Sequence, residues 1–311
     1  MEHLPTYRKP LRLLMMLLIL SAVIIINPLI GIAPTFPVEM YSMESSIYAP
    51  LMEKLSRDGY SSDILTKFYR PGRDVFYERL TRINLVQRDY ASPYKRMYND
   101  QAVQSIREFT EANASLFDAV WDHFRISPGI IGAILYVESR FGESSGDHPV
   151  LYVLSSMTLA PEEWNMQKLI DDMDRKFPEM TEYERTEKIR YLRRRARTKS
   201  EWAYRELTHL LDIHQNQTLD IYTLKGSWAG AFGIPQFMPS SYTAYAVDGN
   251  DNGKIDITTI PDAIASVANY LYKNGWRGNL TESKKRKAIW RYNHSHHYVN
   301  LILKLARAVE T

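Results

Sequence analysis

The sequence predicts a mainly α-helical protein preceded by a single N-terminal transmembrane helix. Three observations carry this: an uncharged apolar run from Leu13 to Ala33, a succession of helical-period segments bounded by cap residues, and glycines and prolines gathered at the joints between them. With 45% hydrophobic and 24% charged residues among 311, the chain can bury a sizeable core as one large or two modest domains. A net charge of +3 does not single out nucleic acid, and none is expected as a partner. The absence of cysteine excludes disulfides, thiolate metal sites, cysteine nucleophiles and a lipid-modified N-terminal cysteine.

Residues 1–12 read as a cytoplasmic tail carrying Arg8, Lys9 and Arg12, and residues 13–33 read as the anchor. At about 1.5 Å per residue the run reaches roughly 30 Å, one hydrocarbon core. The basic flank belongs in the cytoplasm, which puts everything after the run outside it, in the cell envelope. Gly31 and Ala33 resemble a signal cleavage site, and cleavage there would give a secreted protein. Pro34 disfavours that cut, so the reading is an anchor held in the cytoplasmic membrane.

Residues 34–95 alternate short amphipathic stretches, SSIYAPLMEKL and SSDILTKFY, with turns at Asp58-Gly59 and Pro71-Gly72, the pattern of a small helical lobe or stalk. Asn99 or Asp100 can cap a helix running to Ala112, and Ser115 can cap LFDAVWDHF, whose Trp121 and Phe124 are expected in the core. Next comes GIIGAILYVESRFG, with one carboxylate, Glu138, in an otherwise almost wholly apolar segment. Ser127 fits the N-cap, Pro128 the first helical position and Gly142 a left-handed close, so Glu138 falls in the last turn. Desolvation and the negative end of the helix dipole both raise a carboxyl pKa there, which makes Glu138 a proton donor near pH 7. The competing reading points Glu138 to water in an ion pair with Arg140, leaves Ser139 a plain cap and makes Glu143 a loop carboxylate.

Residues 161–199 change to heavily charged helix, with Thr181 and Glu184 spaced as a capping box. Arg190, Arg193, Arg194, Arg195, Arg197 and Lys199 form a basic cluster, read as a solvated face with an anionic polymer or lipid headgroup as its alternative partner. Residues 201–211 are helical by period. In KGSWAGAFGIPQFMPSSY, Gly226, Gly230, Gly233, Pro235 and Pro239 rule out a long helix. Small residues there admit a polymer close to the backbone, and Trp228, Phe232 and Phe237 offer flat faces for sugar rings, unless the segment is a tight turn packed on the core. DGNDNGKIDITTIPD places Asp248, Asn250, Asn252, Lys254 and Asp256 at the spacing of a calcium loop. Thr259 stands where the bidentate glutamate belongs, and Asp262 can substitute if the loop, 248–262, is longer; the plain alternative is an Asx-rich turn. His294, His296 and His297 lack a helical metal-ligand spacing and read as surface.

Taken in order, VESRFG, KGSWAGAFGIPQFMPSSY, the calcium-type loop leading into DAIASVANYLYKNGW, and WRYNHSHHYV resemble the lytic murein transglycosylase B family over roughly residues 94–308. The resemblance implies a lysozyme-like α+β catalytic core over residues 96–311, a helical N-terminal lobe before it, and the charged stretch 161–199 as an insertion. It implies cleavage of the bond between N-acetylmuramic acid and N-acetylglucosamine in peptidoglycan strands, leaving 1,6-anhydromuramyl ends, with Glu138 as sole general acid and base. It implies that Ser227, Gln236, Tyr270, Tyr292, Asn293 and Tyr298 line the sugar cleft or orient the acid, that the chemistry needs no cofactor, and that a structural calcium ion has Asp262 as its late acidic ligand. Phe232, Ile234 and Pro235 depart from the residues usual in that loop, which bears on subsite shape. A hydrolytic muramidase of the same fold, or a non-catalytic calcium-stabilised peptidoglycan-binding scaffold, are the competing expectations.

Overall fold

The structure, a computed structural model, describes residues 46–69, 75–86, 92–216, 219–278 and 280–311, all within the compact unit Tyr41–Thr311. The anchor expected at 13–33 lies outside the described residues, among which no helix is long and apolar enough to cross a membrane.

Helices dominate the chain. α1 (Ala49–Arg57), α2 (Ser62–Phe68), α3 (Glu78–Val86) and α4 (Ser92–Met97) come first, and α5 (Asp100–Ala112) and α6 (Ala114–Phe124) lead into α7 (Pro128–Ser139). Asn99 is the N-cap of α5, its side chain accepting from Ala102 N at 2.8 Å, as one of the two cap readings has it. The cap expected at Ser115 is not made, because α6 begins two residues earlier, at Ala114, with Asn113 at the cap position. Trp121 is also displaced from its expected place: it is 42% exposed, whereas Phe124 packs against the core. On α6 the inward stripe is Phe117 and Val120, which turns Trp121 outward.

α7 is the spine. Gly129 through Leu135 are all buried, so the helix carries no polar stripe until its last turn, as a helix enclosed on every side must. It lies against α5, α12 (Ile260–Lys273) and α14 (His296–Glu310). Gly132 makes the close approach to α5 possible: a Cβ there would stand 2.9 Å from Ile106 Cγ2. Burying Ile130, Ile131, Ile134 and Leu135 contributes about 1.5–3 kcal/mol each, enough to fix the spine wherever local propensity is indifferent.

α8 (Val150–Thr158), α9 (Glu163–Lys176), α10 (Glu182–Gln215), α11 (Pro239–Tyr245) and α13 (Glu282–Tyr292) complete the helices. The strand content is smaller than an α+β core suggests. Among the described residues it is one two-residue antiparallel ladder, β1 (His148–Pro149) on β2 (Lys225–Gly226), with isolated bridges from Gly226 to Phe232 and from Phe232 to Phe237. The glycines and prolines that forbid a helix in 225–239 also forbid a long strand.

The capping box at Thr181 and Glu184 forms as expected and opens a helix of 34 residues. No glycine or proline interrupts 182–215, so the charged stretch runs without a joint into the core helix that follows it. Two of the basic cluster form ion pairs: Arg193 grips Glu163 with two 2.7 Å bonds and Arg190 pairs with Glu187, while Arg185, just before the cluster, grips Asp174 with two 2.9 Å bonds. Residues of the N-terminal stretch share the main core, and Tyr48 and Tyr69 seal the join by hydrogen bonds to Ser156 (2.9 Å) and Ser155 (2.7 Å) of α8.

Candidate active site

α7 ends abruptly at the site. Arg140 (φ 50°), Phe141 (φ 60°) and Gly142 (φ 103°) are successive left-handed residues, so the helix closes two residues before the expected glycine. Only glycine adopts this region without cost, and Phe141 is held there by its ring contact. Phe141 stacks flat on Phe109 at 3.9 Å. Ser139 is more than a cap. Its hydroxyl donates to Ile234 O at 2.7 Å and accepts from Gly142 N at 2.9 Å, tying the helix end to the glycine-rich loop. Ser127 occupies the N-cap position without a side-chain cap bond.

This closure leaves Glu138, one residue earlier, partly buried at the edge of a cavity of about 570 Å³. Among the described residues it has no salt bridge; Arg140 is exposed, so the ion-pair reading of Glu138 is not what forms. The one side-chain hydrogen bond given to the carboxylate comes from the Tyr298 hydroxyl, donated to Oε1 at 2.6 Å. Desolvation lifts the Glu138 carboxyl from 4.5 to about 7, against the pull of the Tyr298 hydrogen bond toward the ionised form. The Tyr298 and Tyr292 hydroxyls are pushed well above their usual value, first by burial and then by the neighbouring carboxylate, so both stay protonated as donors.

Among the described residues of the cleft wall Glu138 is the one carboxylate, with Tyr94, Ser144, Gly146, His148, Ser227, Trp228, Gln236, Tyr292 and Asn293 around it. Of the expected sugar-cleft residues, Ser227, Gln236, Tyr292 and Asn293 do line this cavity; Tyr270 and Tyr298 do not. They stand behind the wall. Tyr298 holds Glu138, and Tyr270 donates to Arg291 O at 2.6 Å while packing 4.7 Å from the Tyr292 ring. Tyr292 itself donates to Pro235 O at 2.6 Å, and the Gln236 amide nitrogen donates to Ser145 O and Gly233 O at 3.0 and 2.9 Å. Ser227 Oγ accepts from Ala229 N and Ala231 N, which rounds the loop into the cleft floor.

The aromatic residues of that loop divide. Trp228 is 36% exposed and on the wall, whereas Phe232 and Phe237 are buried as core, so only Trp228 keeps the expected flat face. Tyr94 and His148 were missed by sequence reading. His148 reaches the wall by pairing across β1–β2 with Gly226, a contact 78 residues distant that no local pattern announces.

The 248–262 loop closes through its own side chains. Asp248 accepts from Asn250, Asn252 and Gly253 N–H groups, and Asn252 Oδ1 accepts from Lys254 N. Desolvation raises the Asp248 carboxyl, but the backbone N–H groups outweigh it and hold it below its ordinary value. Asp262 is fully buried and uses its two oxygens for Gly249 N (2.8 Å) and Asp256 N (2.6 Å), so it acts first as the clasp of the loop. Among the described residues no three or more His, Cys, Asp or Glu side chains cluster as metal ligands, the 294–297 histidines included. The loop's donors are all oxygen: the Asp248 and Asp256 carboxylates, the Asn250 and Asn252 amides and the Lys254 carbonyl. That set fits a hard cation and no softer one.

Comparison with known proteins gives a consistent result. The family described as Transglycosylase SLT domain matches residues 46–283. Membrane-bound lytic murein transglycosylase B of Escherichia coli is 30% identical over 182 residues, 58% of this chain and 41% of that protein, so the match spans about two fifths of the curated relative. Escherichia coli Slt35, solved in complex with calcium, superposes with a TM-score of 0.64 at 22% identity, covering 86% of this chain and 94% of that one. Pseudomonas aeruginosa SltB3, solved with NAG-anhNAM-pentapeptide, gives 0.64 at 18% identity over 85% of this chain and 79% of that one. At such identities the structural matches speak for the fold alone.

Proposed function

Since the chain belongs to the transglycosylase SLT domain family, we propose that it is a peptidoglycan lytic transglycosylase with Glu138 as its single general acid and base. The observation that carries this reading is Glu138 standing as the one carboxylate among the described residues of the cleft wall, with its pKa lifted to about 7. Two-carboxylate glycosidases need a partner acid at about 5 Å, or at about 6.5–9.5 Å when water attacks. A lone carboxylate suits a reaction that uses no water.

Protonated Glu138 gives its proton to the oxygen between N-acetylmuramic acid and N-acetylglucosamine as that bond breaks. The substrate's own acetamido oxygen stabilises the cationic carbon. The carboxylate thus formed takes the proton of the muramic 6-hydroxyl while O6 bonds to C1, which closes the 1,6-anhydro ring and returns Glu138 to its acid form. A pKa near working pH serves both halves, and Tyr298 steadies the ionised state between them. Ser227, Gln236, Tyr292 and Asn293 are proposed to position the sugars, with Tyr270 supporting Tyr292.

The test is mass analysis of the muropeptides released from purified peptidoglycan. Anhydromuramyl ends support the reading. Reducing ends would replace it with a muramidase, and strand binding without products would replace it with a scaffold. Because the acid form starts the reaction, turnover is expected to fall as pH rises through about 7. Tyr298→Phe removes the bond that favours the carboxylate, so the falling limb should move to higher pH and turnover should drop about tenfold. An unchanged pH profile would exclude this role for Tyr298.

Calcium is proposed as a structural ion of the 248–262 loop, held by Asp248, Asn250, Asn252, Lys254 O and Asp256, with Asp262 fastening the loop around it. Bound there, it would supply the charge that holds the acidic loop closed, apart from the chemistry of the cleft. Calcium should raise the melting temperature of the native chain, and Asp248→Ala should erase most of that gain. Equal melting shifts in calcium and in chelator for both proteins would remove the ion from the loop. Residues 13–33 are proposed to hold the protein to the cytoplasmic membrane with the cleft outside the cytoplasm. Release of the protein into the soluble fraction without detergent would contradict that.

A further inference from the structure

The charged stretch 161–199 has no part in the chemistry above, yet it is joined to the cleft through α3. Leu85 of α3 belongs to a small separate core with Ala160, Met166, Leu169 and Ala196. Beside that core, Arg82 of α3 pairs with Asp172 and Lys168 reaches Glu78 at 3.3 Å, while Phe76 meets Trp164 edge to face at 4.8 Å. At the end of α3, Arg195 of α10 donates to the carbonyls of Leu85 and Asn84. These are last-turn carbonyls without helical partners, where a cation is favourable. The helix is therefore gripped along its side and at its C-terminal end by α9 and α10.

The opposite side of α3 meets the cleft. Asn84 is 4% exposed, and its amide nitrogen donates to Leu80 O at 3.0 Å and to Trp228 O at 3.1 Å. Trp228 lies in the tight loop 227–231, where Ser227 N donates to Ala231 O at 2.8 Å and Gly230 N to Ser227 O at 3.0 Å. The base of that loop is held by the ladder from Gly226 to His148 and the bridge from Gly226 to Phe232. Asn84 adds a tie at Trp228 itself, because a buried amide cannot leave its acceptor without losing a hydrogen bond that water does not replace. The Trp228 ring, among the described residues the one large exposed aromatic face on the wall, moves with its backbone.

We infer that Asn84 is a positioning residue for substrate grip: held in place by the charged α9–α10 extension, it sets the Trp228 ring against the bound glycan strand. This rests on the proposed glycan substrate and extends it, giving the extension a function within the cleft. The contribution is to strand binding and not to proton transfer, since Glu138 is held from another side by Tyr298.

The experiment is a double-mutant cycle on the full chain with soluble peptidoglycan glycan strands of defined length. Asn84→Ala should raise KM about fivefold with kcat within about twofold, the effect of losing one buried hydrogen bond. Trp228→Ala should raise KM at least as much, and the double variant no more than Trp228→Ala alone. Arg195→Gln, which alters no cleft residue, should shift KM in the same direction by less and serves if Asn84→Ala folds poorly. Additive KM effects, an unchanged KM in both Asn84→Ala and Arg195→Gln, or a loss confined to kcat would overturn the inference. Repeating the cycle as strand Kd in a Glu138→Gln background separates it from the reaction itself. Tight binding that weakens as described, in a protein that never yields anhydro ends, would leave the positioning role standing and the transglycosylase reading refuted.

Discussion

Glu138→Gln is expected to abolish strand cleavage and, above about pH 7, to make the folded protein more stable than the wild type. The proposed reaction uses the same carboxyl twice, as acid and then as base. General acid–base catalysis contributes about 10²–10⁴-fold, so turnover should fall at least about a hundredfold. Glutamine keeps the shape and still accepts the Tyr298 hydroxyl, so strand affinity should remain. The stability effect follows from linkage. Glu138 titrates at about 7 in the folded protein against 4.5 in the reference state, so the folded protein holds this proton more tightly than the unfolded chain. That contribution is complete below about pH 4.5 and is lost as pH rises through about 7. By about pH 8 the wild type has lost up to about 3 kcal/mol at this position, by the conversion of about 1.4 kcal/mol per pKa unit. Glutamine does not titrate and escapes the loss. Urea unfolding of both proteins at pH 4 and pH 8 is the measurement, and a difference between them that is the same at both pH values would show that Glu138 is an ordinary solvated carboxylate. Near-wild-type turnover in the variant would end the mechanism.

The parts of this protein that were legible in its sequence are those whose cause is local. The capping box of Thr181 and Glu184, the cap at Asn99 and the placement of Glu138 in the last turn of an apolar helix all follow from residues within a few positions of one another. What stayed hidden depends on distant contacts. Phe232, Phe237 and Trp228 look alike in a glycine-rich run; Phe232 and Phe237 became core because bridges at 226–232 and 232–237 fold the run back on itself. Trp121 turned outward because the neighbouring Phe117 and Val120 define the buried stripe of its helix. The division of the tyrosines shows the same limit at the site. The motif resemblance drew attention to Tyr270, Tyr292 and Tyr298 together, but only packing separates a wall residue from one that orients the acid.

Gly226→Ala should be among the most damaging single-methyl substitutions in the chain, although its backbone is not left-handed. A Cβ there would lie 2.2 Å from Ala231 O and 2.9 Å from Val150 Cγ2. Ala231 O cannot simply step aside, because it accepts from Ser227 N at 2.8 Å and so closes the loop that carries Trp228. Nor can Gly226 retreat: it is paired with His148 in the ladder and bridged to Phe232, whose side chain is buried. The added methyl must therefore break the loop hydrogen bond or the ladder, and either choice leaves buried backbone groups unpaired. A cost of about 3–5 kcal/mol is expected, in the range reserved for overpacking combined with lost hydrogen bonds. Gly253 supplies the contrast. It is left-handed, φ 82°, but a Cβ there would meet nothing within 4 Å, so alanine brings only backbone strain of about 1–2 kcal/mol. Denaturant unfolding of the two variants side by side tests the argument, and a Gly226→Ala cost no larger than that of Gly253→Ala would contradict the close backbone approach that forms the cleft floor. If the larger cost is found, the requirement for glycine at 226 comes from contact between two stretches of backbone. The walls that face Glu138 then owe their shape to the residue that has no side chain.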